Sequence, residues 1–282
     1  MVSIVITAYN VEDTIRKAID SALAQSYPHI EVVVVDDCST DHTAEIIASY
    51  GERIKVVKHE ENLGAGMARR DGLKFSTGDF AVTLDADDWM DEDLIARLVA
   101  RQRETGAEIV SGGVTIERLD GSWDAHCYGD KYIDVKKDVI EAFLAEKVRF
   151  MNNKLIARRL LNEVEYCERR FIEDTPTIYP MLFLANGFAY AATTGYHYLH
   201  HDKSLTKTAS TFKWALYGCI AEMDIVNFFE KHDYHEFDEQ LAKSIIGHTD
   251  IIYDLHPSIE EVREHQDAWN YFTTELIRRA DA

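Results

Sequence analysis

The four consecutive valines Val32–Val35 are the sequence feature that most constrains the fold. They lie in the mostly apolar segment Ile30–Val35, and an apolar run without polar alternation is typical of a parallel strand that is buried on both faces. A second such run, Val2–Ala8, precedes it, and Glu12–Gln25 between them places its apolar residues on one helical face. Strand, helix and strand in this order predict a βαβ unit, and therefore an α/β fold with a mostly parallel sheet and helices on both faces.

The same alternation continues to Ser111. It predicts helices near Asp41–Tyr50, Gly64–Phe75 and Glu92–Glu104, and strands near Ile54–Val57, Phe80–Asp85 and Glu108–Ser111. Ligands of such sheets bind beyond the carboxyl ends of the strands, so the residues that follow each strand are the candidates for a binding site.

Three of these strands end in polar or acidic clusters, which are Thr7-Ala8-Tyr9-Asn10, Asp36-Asp37 and Asp85-Ala86-Asp87-Asp88. Because the carboxyl ends of parallel strands share one edge, we expect the clusters to meet at a single site. An Asp-x-Asp at the end of a buried strand suits a hard divalent cation, which takes oxygen ligands and bridges to phosphates. The alternative for this cluster is a solvated turn ahead of the next helix.

Two residues of these clusters keep two interpretations each. Asp37 can accept hydrogen bonds from a nucleoside, or it can belong to the turn after its strand. Tyr9 can offer an aromatic face to a base, or it can pack half-buried.

Composition excludes some classes of function. The formal charge of −20 argues against binding to a nucleic acid backbone and against adhesion to anionic lipid by bulk charge, although the basic pairs Arg69-Arg70 and Arg169-Arg170 leave a local membrane contact open. The four cysteines are widely spaced, which favours reduced thiols. The first residues do not read as a signal peptide, and no apolar window is convincing as a transmembrane segment, so we expect a cytoplasmic protein.

The order and spacing of the motifs in roughly the first hundred residues resemble those of family 2 glycosyltransferases of the GT-A fold. The motifs are Thr7-Ala8-Tyr9-Asn10 with Glu12, Val35-Asp36-Asp37 with Ser39-Thr40-Asp41, Asn62-Leu63-Gly64, Ala68-Arg69 before Gly72, and Leu84-Asp85-Ala86-Asp87-Asp88. A weaker set is similar to bacterial enzymes that build capsular, exopolysaccharide or lipopolysaccharide sugars. It comprises Asn153-Lys154-Leu155, Arg158-Arg159, Glu173-Asp174, Tyr196-x-Tyr198 and Ser204.

The resemblance implies an inverting glycosyltransferase that uses a nucleotide-diphospho-sugar, with UDP as the family's common nucleotide, and a Mg²⁺ or Mn²⁺ ion. The acceptor would be a hydroxyl group of a glycan or a lipid-linked glycan. The residues assigned to the nucleotide sugar are Thr7, Ala8, Tyr9, Asn10, Glu12, Asp37, Arg69, Asp85 and Ala86. Asp87 and Asp88 would hold the metal, and Asp174 would be the catalytic base, with Glu173 as the substitute. Because Asp174 lies just before Pro176, the alternative is that it caps the start of a helix. Cys38 and Arg70 depart from the family pattern, which leaves the choice of base and donor open.

Several later residues keep alternatives. His197, His200 and His201 are candidates for a metal or diphosphate contact, or they belong to a polar loop that closes with Lys203 or Ser204. Lys154 is expected on a solvated helix face or at a phosphate.

The predicted organisation is a GT-A domain over residues 1–207, with a nucleotide-sugar-binding half (1–112) and an acceptor half (113–207), followed by a helical extension (208–282). The extension is predicted to form helices at Phe212–Lys231, Glu236–Leu255 and Ser258–Arg279. Its aromatic residues are expected to pack it on the GT-A domain, with a homodimer contact and an acceptor platform as alternatives.

Two other classes of function remain as rivals. A nucleotidyltransferase would normally show a glycine-rich, basic phosphate loop after the first strand, and here that loop is Thr7-Ala8-Tyr9-Asn10-Val11-Glu12. A non-catalytic nucleotide-sugar-binding subunit would have no need of the intact acidic residues.

Overall fold

A computed structural model describes residues 1–146, 150–200 and 209–280. The strands are β1 (Val2–Ala8), β2 (Ile30–Asp36), β3 (Lys55–Lys58), β4 (Phe80–Asp85), β5 (Trp89–Met90), β6 (Ile109–Ser111), β7 (Val114–Arg118), β8 (Trp123–His126), β9 (Lys131–Ile133), β10 (Lys154–Ala157), β11 (Phe188–Tyr190) and β12 (Tyr196–His200). The helices are α1 (Ile15–Leu23), α2 (Thr43–Ala48), α3 (Ala65–Phe75), α4 (Leu94–Thr105), α5 (Lys136–Leu144), α6 (Arg158–Glu163), α7 (Asp174–Leu184), α8 (Thr211–Lys231), α9 (Asp238–Leu255), α10 (Ile259–Glu264) and α11 (Gln266–Ala280).

Among the described residues, the central sheet has eight strands in the order β3-β2-β1-β4-β10-β6-β11-β9. The strands β3, β2, β1 and β4 are parallel to one another, β11 is parallel to β6, and β10 and β9 are antiparallel to their neighbours. The predicted α/β class with a mostly parallel sheet is confirmed. Each element predicted in the first 111 residues is present, with ends that differ by a few residues.

The valine run lies in β2, between β3 and β1, and all four side chains are almost completely buried. Helix α1 contributes Ile15, Ala18, Ile19 and Ala22 to the core. Helix α3 lies very close to the sheet at Gly72, where an added Cβ would be 2.5 Å from Val5 and 2.7 Å from Val35. Each fully buried valine contributes about 1.5–3 kcal/mol relative to an exposed one, so this core stabilises the strands that carry the candidate site.

A second sheet, which the sequence did not predict, has four strands in the described part of the chain, in the order β5-β12-β7-β8. The two-residue strand β5 pairs with β12 through Met90 and Tyr196 and through Trp89 and His197. Because the partners are more than a hundred residues apart in the chain, no local pattern indicates this pairing. It brings the segment that follows Asp88 next to β12.

The chain divides into two compact units. Among the described residues, the first unit contains 1–170 and 177–200, and the second contains 171–176 and 209–280. The predicted boundary between residues 207 and 208 stays a prediction, because residues 201–208 lie outside the described part. The division of the GT-A domain into two halves also stays a prediction. Strands of both halves share the central sheet, since β6 of the first half lies between β10 and β11 of the second.

The second unit is helical, as expected, but the last predicted helix is wrong in one respect. Two helices, α10 and α11, replace the single helix predicted over Ser258–Arg279. A capping box between Ser258 and Glu261 starts α10, and the chain leaves helical geometry at His265. At the interruption, the imidazole of His265 packs against Phe212 and Tyr217, with ring centroids 6.2 and 5.6 Å apart.

Candidate functional site

The carboxyl ends of β1, β2 and β4 coincide, as predicted. Thr7 lies opposite Asp85 in the β1–β4 pairing, and Ala8 lies opposite Asp36 in the β1–β2 pairing. The Thr7 hydroxyl donates to Oδ1 of Asp85 across 3.5 Å. The first two clusters and the start of the acidic cluster therefore share one edge of the sheet.

The loop after β1 is held by the loop after β2. Oδ1 of Asn10 accepts hydrogen bonds from the backbone N–H (2.8 Å) and the hydroxyl (3.3 Å) of Thr40. Oε2 of Glu12 accepts one from the backbone N–H of His42 (2.9 Å), and this bond and the His42 side chain lower the pKa of Glu12. Helix α1 begins after this loop, at Ile15 rather than at the predicted Glu12. Tyr9 lies at the same edge and is 46% exposed.

Asp37 is buried, with 2% exposure, and its carboxylate is well bonded within the protein. Oδ1 accepts from the backbone N–H of Leu63 (2.9 Å) and contacts Nδ1 of His59 (2.7 Å), and Oδ2 accepts from the backbone N–H of Gly64 (2.8 Å). Gly64 is the N-cap of α3, so Asp37 satisfies N–H groups at that helix start. Its contact with a nucleoside stays a prediction and would use its remaining lone pairs.

Helix α3 brings Arg69 to the edge of the sheet. The Arg69 side chain is buried, and its Nη2 lies 3.4 Å from Oδ1 of Asp85. Arg70, which departs from the family pattern, donates from Nε and Nη2 to both oxygens of Asp71, at 2.7 and 3.0 Å. This ion pair lowers the pKa of Asp71 and directs Arg70 to its neighbour in the helix.

Asp85 has a partner that sequence reasoning missed. Nδ2 of Asn152 donates to Oδ2 of Asp85 across 2.7 Å, and Oδ1 of Asn152 accepts from the Thr83 hydroxyl across 2.6 Å. The only sequence signal nearby was the motif that starts at Asn153. That motif does not indicate which side chain reaches β4.

The two predicted metal ligands differ in their surroundings. Asp87 is partly buried, whereas Asp88 is 1% exposed. Oδ2 of Asp88 accepts from the Tyr196 hydroxyl (2.5 Å), and Oδ1 accepts from the backbone N–H of Leu199 (2.9 Å). Burial, together with the charges of Asp87 and Asp85, raises the pKa of Asp88 well above its usual range. Asp88 thus joins the end of β4 to β12, and metal binding by Asp88 stays a prediction.

The histidines of β12 have other partners. Nδ1 of His197 lies 2.7 Å from Glu117, its Nε2 lies 2.9 Å from Asp91, and its ring stacks on Trp89. The His200 ring stacks near Tyr198, with centroids 6.2 Å apart. His201, Lys203 and Ser204 lie outside the described residues.

Lys154 corrects an expectation. Its side chain is fully buried, and Nζ donates to Glu146 (3.1 Å), to Oδ1 of Asn153 (2.8 Å) and to the carbonyl oxygen of Phe150 (3.1 Å). The predicted solvated position is therefore wrong. Burial of the ammonium group is possible because these acceptors and the opposite charge of Glu146 replace its contacts with water. The ion pair anchors the segment that carries Asn152.

Asp174 is the first residue of α7, and Pro176 lies in the first turn, where a proline is well tolerated. Asp174 and Glu173 belong to the second unit, whereas Asp85 and Asp87 belong to the first. The role of Asp174 as the catalytic base therefore stays a prediction.

Two grooves lie on the described surface of the protein. One of about 630 Å³ is lined by Arg16, Lys17 and Trp89 among others, and one of about 380 Å³ lies beside β9 and α5. Neither is lined by Asp37, Asp85 or Asp87, so strand register and side-chain chemistry, rather than groove size, locate the candidate site.

The fold and this acidic edge define the class of GT-A glycosyltransferases. The family model "Glycosyl transferase family 2" matches residues 3–164, more than half of the 282 residues, and the chain belongs to that family. It is therefore a glycosyltransferase (EC 2.4) rather than a nucleotidyltransferase. In the described residues, none of the helices combines the length and hydropathy needed to cross a bilayer.

Known proteins agree with this assignment. The glycosyltransferase GlyG of Streptococcus pneumoniae serotype 4 is 26% identical over 245 residues, which are 82% of this chain and 79% of GlyG. The succinoglycan biosynthesis protein ExoO of Rhizobium meliloti is 40% identical over 121 residues, which are 43% of this chain and 35% of ExoO.

Two solved structures share the fold at low sequence identity. Residues 1–349 of TarS from Staphylococcus aureus, crystallised with UDP-GlcNAc, give a TM-score of 0.64 at 20% identity and cover 99% of this chain and 92% of that one. The mannosyltransferase PcManGT of Pyrobaculum calidifontis, in complex with GDP-Man and Mn²⁺, gives 0.59 at 15% identity and covers 98% and 86%.

Proposed function

We propose that this glycosyltransferase moves a sugar from a nucleotide-diphospho-sugar, with UDP as the nucleotide, to a hydroxyl group of a glycan or lipid-linked glycan in surface polysaccharide assembly. The observation that carries the proposal is the alignment of Thr7 with Asp85 and of Ala8 with Asp36 at one edge of the parallel sheet. The exposed ring of Tyr9 and the acidic end of β4 lie at this edge, where such sheets bind nucleotides.

The donor class is supported by the solved structures that share the fold, since TarS was crystallised with UDP-GlcNAc and PcManGT with GDP-Man. The acceptor class is supported by ExoO, whose name places it in succinoglycan biosynthesis. A cytoplasmic location fits the wide spacing of the four cysteines, which favours reduced thiols.

The residues at the end of β4 fit a divalent cation. Among the described residues, no group of three or more His, Cys, Asp or Glu side chains is placed to hold a metal without other ligands. Mg²⁺ commonly takes one or two carboxylates from a protein and its remaining ligands from phosphates and water, and Asp87 with Asp85 or Asp88 supplies such a set. A bound Mg²⁺ or Mn²⁺ ion would stabilise the negative charge of the leaving diphosphate.

The proposed mechanism is a single displacement with inversion. The carboxylate of Asp174 takes the proton of the acceptor hydroxyl, whose oxygen forms a bond to the anomeric carbon. The glycosyl–phosphate bond breaks on the opposite face, and the nucleoside diphosphate leaves with the electron pair. Asp85 accepts hydrogen bonds from the nucleotide sugar, and Tyr9 and Asp37 contact the nucleoside.

Thermal unfolding with a panel of nucleotide sugars, with Mn²⁺ and with EDTA, tests the donor. A ligand at a hundred times its Kd adds about 2.7 kcal/mol to stability, so the correct donor should raise the Tm. We expect the increase to be largest for a UDP-sugar with Mn²⁺ and to shrink in Asp87→Asn.

Transfer assays test the chemistry. We expect Asp174→Asn to bind the donor with an unchanged Kd but to lose most of its transfer rate, and the anomeric configuration of the product to be opposite to that of the donor. Full activity of Asp174→Asn, or retention of configuration, would contradict the mechanism.

A further inference from the structure

Asn152 links the core of the sheet to the acidic edge. Its amide lies between Thr83, in the middle of β4, and Asp85, at the end of the same strand. Asn152 and Thr83 are 2% and 3% exposed, whereas the Asp85 side chain is 36% exposed. A buried pair of side chains thus holds a carboxylate that is open to a ligand.

The orientation of the amide follows from chemistry. An ionised carboxylate only accepts hydrogen bonds, so the amide must turn its NH₂ group toward Asp85. The carbonyl oxygen then faces Thr83, whose hydroxyl can donate to it. With the orientation reversed, two acceptors would face each other at 2.7 Å, so the Thr83 hydroxyl reinforces the arrangement that Asp85 requires.

The segment that carries Asn152 is anchored independently of Asp85. Nδ2 of the next residue, Asn153, donates to the carbonyl oxygen of Gly112 across 2.6 Å. The buried Lys154 donates to the carbonyl oxygen of Phe150 and pairs with Glu146. These contacts fix the backbone on both sides of Asn152, so the Asn152 side chain has a defined position next to Asp85.

We propose that Asn152 is a positioning residue that holds the Asp85 carboxylate in the orientation needed to bind the nucleotide sugar. An amide is suited to this role because it is neutral. It fixes Oδ2 of Asp85 without adding a second positive charge to that of Arg69, whose Nη2 lies 3.4 Å from Oδ1, whereas a lysine at this position would form a further ion pair with the carboxylate. The inference rests on the proposed function, in which Asp85 contacts the donor.

The test compares Asn152→Leu with Asn153→Leu. Both changes replace a buried amide by an apolar side chain of similar length, but only Asn152 contacts Asp85. Loss of a hydrogen bond to a charged group predicts about a tenfold or larger rise in the Kd of the UDP-sugar for Asn152→Leu, measured by calorimetry both with Mn²⁺ and with EDTA. In Asn153→Leu the buried Lys154 still pairs with Glu146 and donates to the carbonyl oxygen of Phe150, which holds the backbone around Asn152, so this variant should lower the Tm and leave that Kd within about twofold.

Thr83 provides a second test that does not depend on Asn152→Leu being folded. Thr83→Val keeps the shape and removes the hydroxyl, so the Kd should rise by about threefold or more, and Thr83→Ser should restore it. If Thr83 acted only through packing, the serine hydroxyl would not restore the Kd.

The results separate two failures. If the unchanged protein binds no nucleotide sugar with Mn²⁺, the proposed function is wrong. If it binds one, and folded Asn152→Leu or Thr83→Val binds it equally well, the positioning role of Asn152 is wrong.

Discussion

The carboxylate of Asp37 combines a place at the candidate site with a place in the fold. It accepts from the backbone N–H groups of Leu63 and Gly64, and such groups at the start of a helix have no partner within the helix itself. Asp37 therefore caps α3 from another part of the chain. Because α3 carries Arg69, the cap also fixes Arg69 relative to Asp85.

We expect Asp37→Asn to lower stability even without nucleotide. In one amide orientation an NH₂ group faces the N–H of Gly64, and in the other it faces the N–H of Leu63, so a buried donor is left without an acceptor. The cost is about 1–3 kcal/mol, measurable by urea unfolding. Asp13→Asn, at an exposed residue of the loop after β1, should change stability by less than about 0.5 kcal/mol. Equal stability of the two variants would show that Asp37 is not needed as a cap.

Residue identities at the candidate site could be predicted where a strand ends in a recognisable motif, as at Thr7 and Asp85. Asn152 could not, because its role depends on a contact with a strand 67 residues earlier in the chain. Lys154 was misjudged for a related reason. A lysine is usually solvated, and only the fold shows that Glu146 and two carbonyl-type oxygens surround it.

At the scale of elements, local periodicity was sufficient for the βαβ units but not for the smaller sheet. The strands β1, β2 and β4 are mostly apolar and largely buried, and burial on both faces leaves little choice of conformation. Strand β5 has two residues, and its pairing with β12 is decided by contacts distant in sequence. That pairing nevertheless places Tyr196 on Asp88.

The contact between α3 and the sheet predicts an asymmetry between two helical glycines. In Gly72→Ala the new Cβ would lie 2.5 Å from Val5 and 2.7 Å from Val35, and overpacking of this kind costs about 1–3 kcal/mol. Gly247, in α9, has open space around the same position, so Gly247→Ala should stabilise the protein by up to about 1 kcal/mol. Denaturant unfolding of the two variants measures both signs, and a stabilised Gly72→Ala would show that α3 is free to move away from the sheet.

Glu31 lies near the amino ends of the parallel strands, where it bonds to Ser3, Lys55 and Thr77, and it predicts that stability depends on pH. Burial alone would raise its pKa, but hydrogen bonds from Lys55, Ser3 and Thr77 lower it from an ordinary value of 4.5 to about 2. The stabilisation is therefore complete above pH 4.5 and is lost as the pH falls toward 2. We expect Glu31→Gln to be less stable than the unchanged protein at pH 7, with the difference in Tm shrinking between pH 4.5 and 2. A difference that stays constant over this range would contradict the linkage.

At the scale of the whole molecule, the net charge of −20 opposes binding to anionic lipid, and two pairs of arginines are the sequence's candidates for a local lipid contact. Arg69 is buried beside Asp85, and Arg70 is paired with Asp71. Nη2 of Arg170 donates to the carbonyl oxygen of Asn62. These three side chains already have partners within the protein, so they add little to the attraction of an anionic surface.

Sedimentation with lipid vesicles tests this balance. Each basic group that reaches an anionic surface contributes about 1 kcal/mol, and the excess of acidic groups opposes that attraction over roughly 10 Å at 0.1 M salt. We therefore expect no more protein to sediment with vesicles containing phosphatidylserine than with phosphatidylcholine alone, and a polybasic peptide serves as the positive control. Binding that increases with anionic lipid and disappears at high salt would mean that other basic residues form a membrane-binding surface despite the net charge. If the protein shows no preference for anionic vesicles, as expected, a lipid-linked acceptor rather than lipid charge would have to bring the enzyme to a membrane.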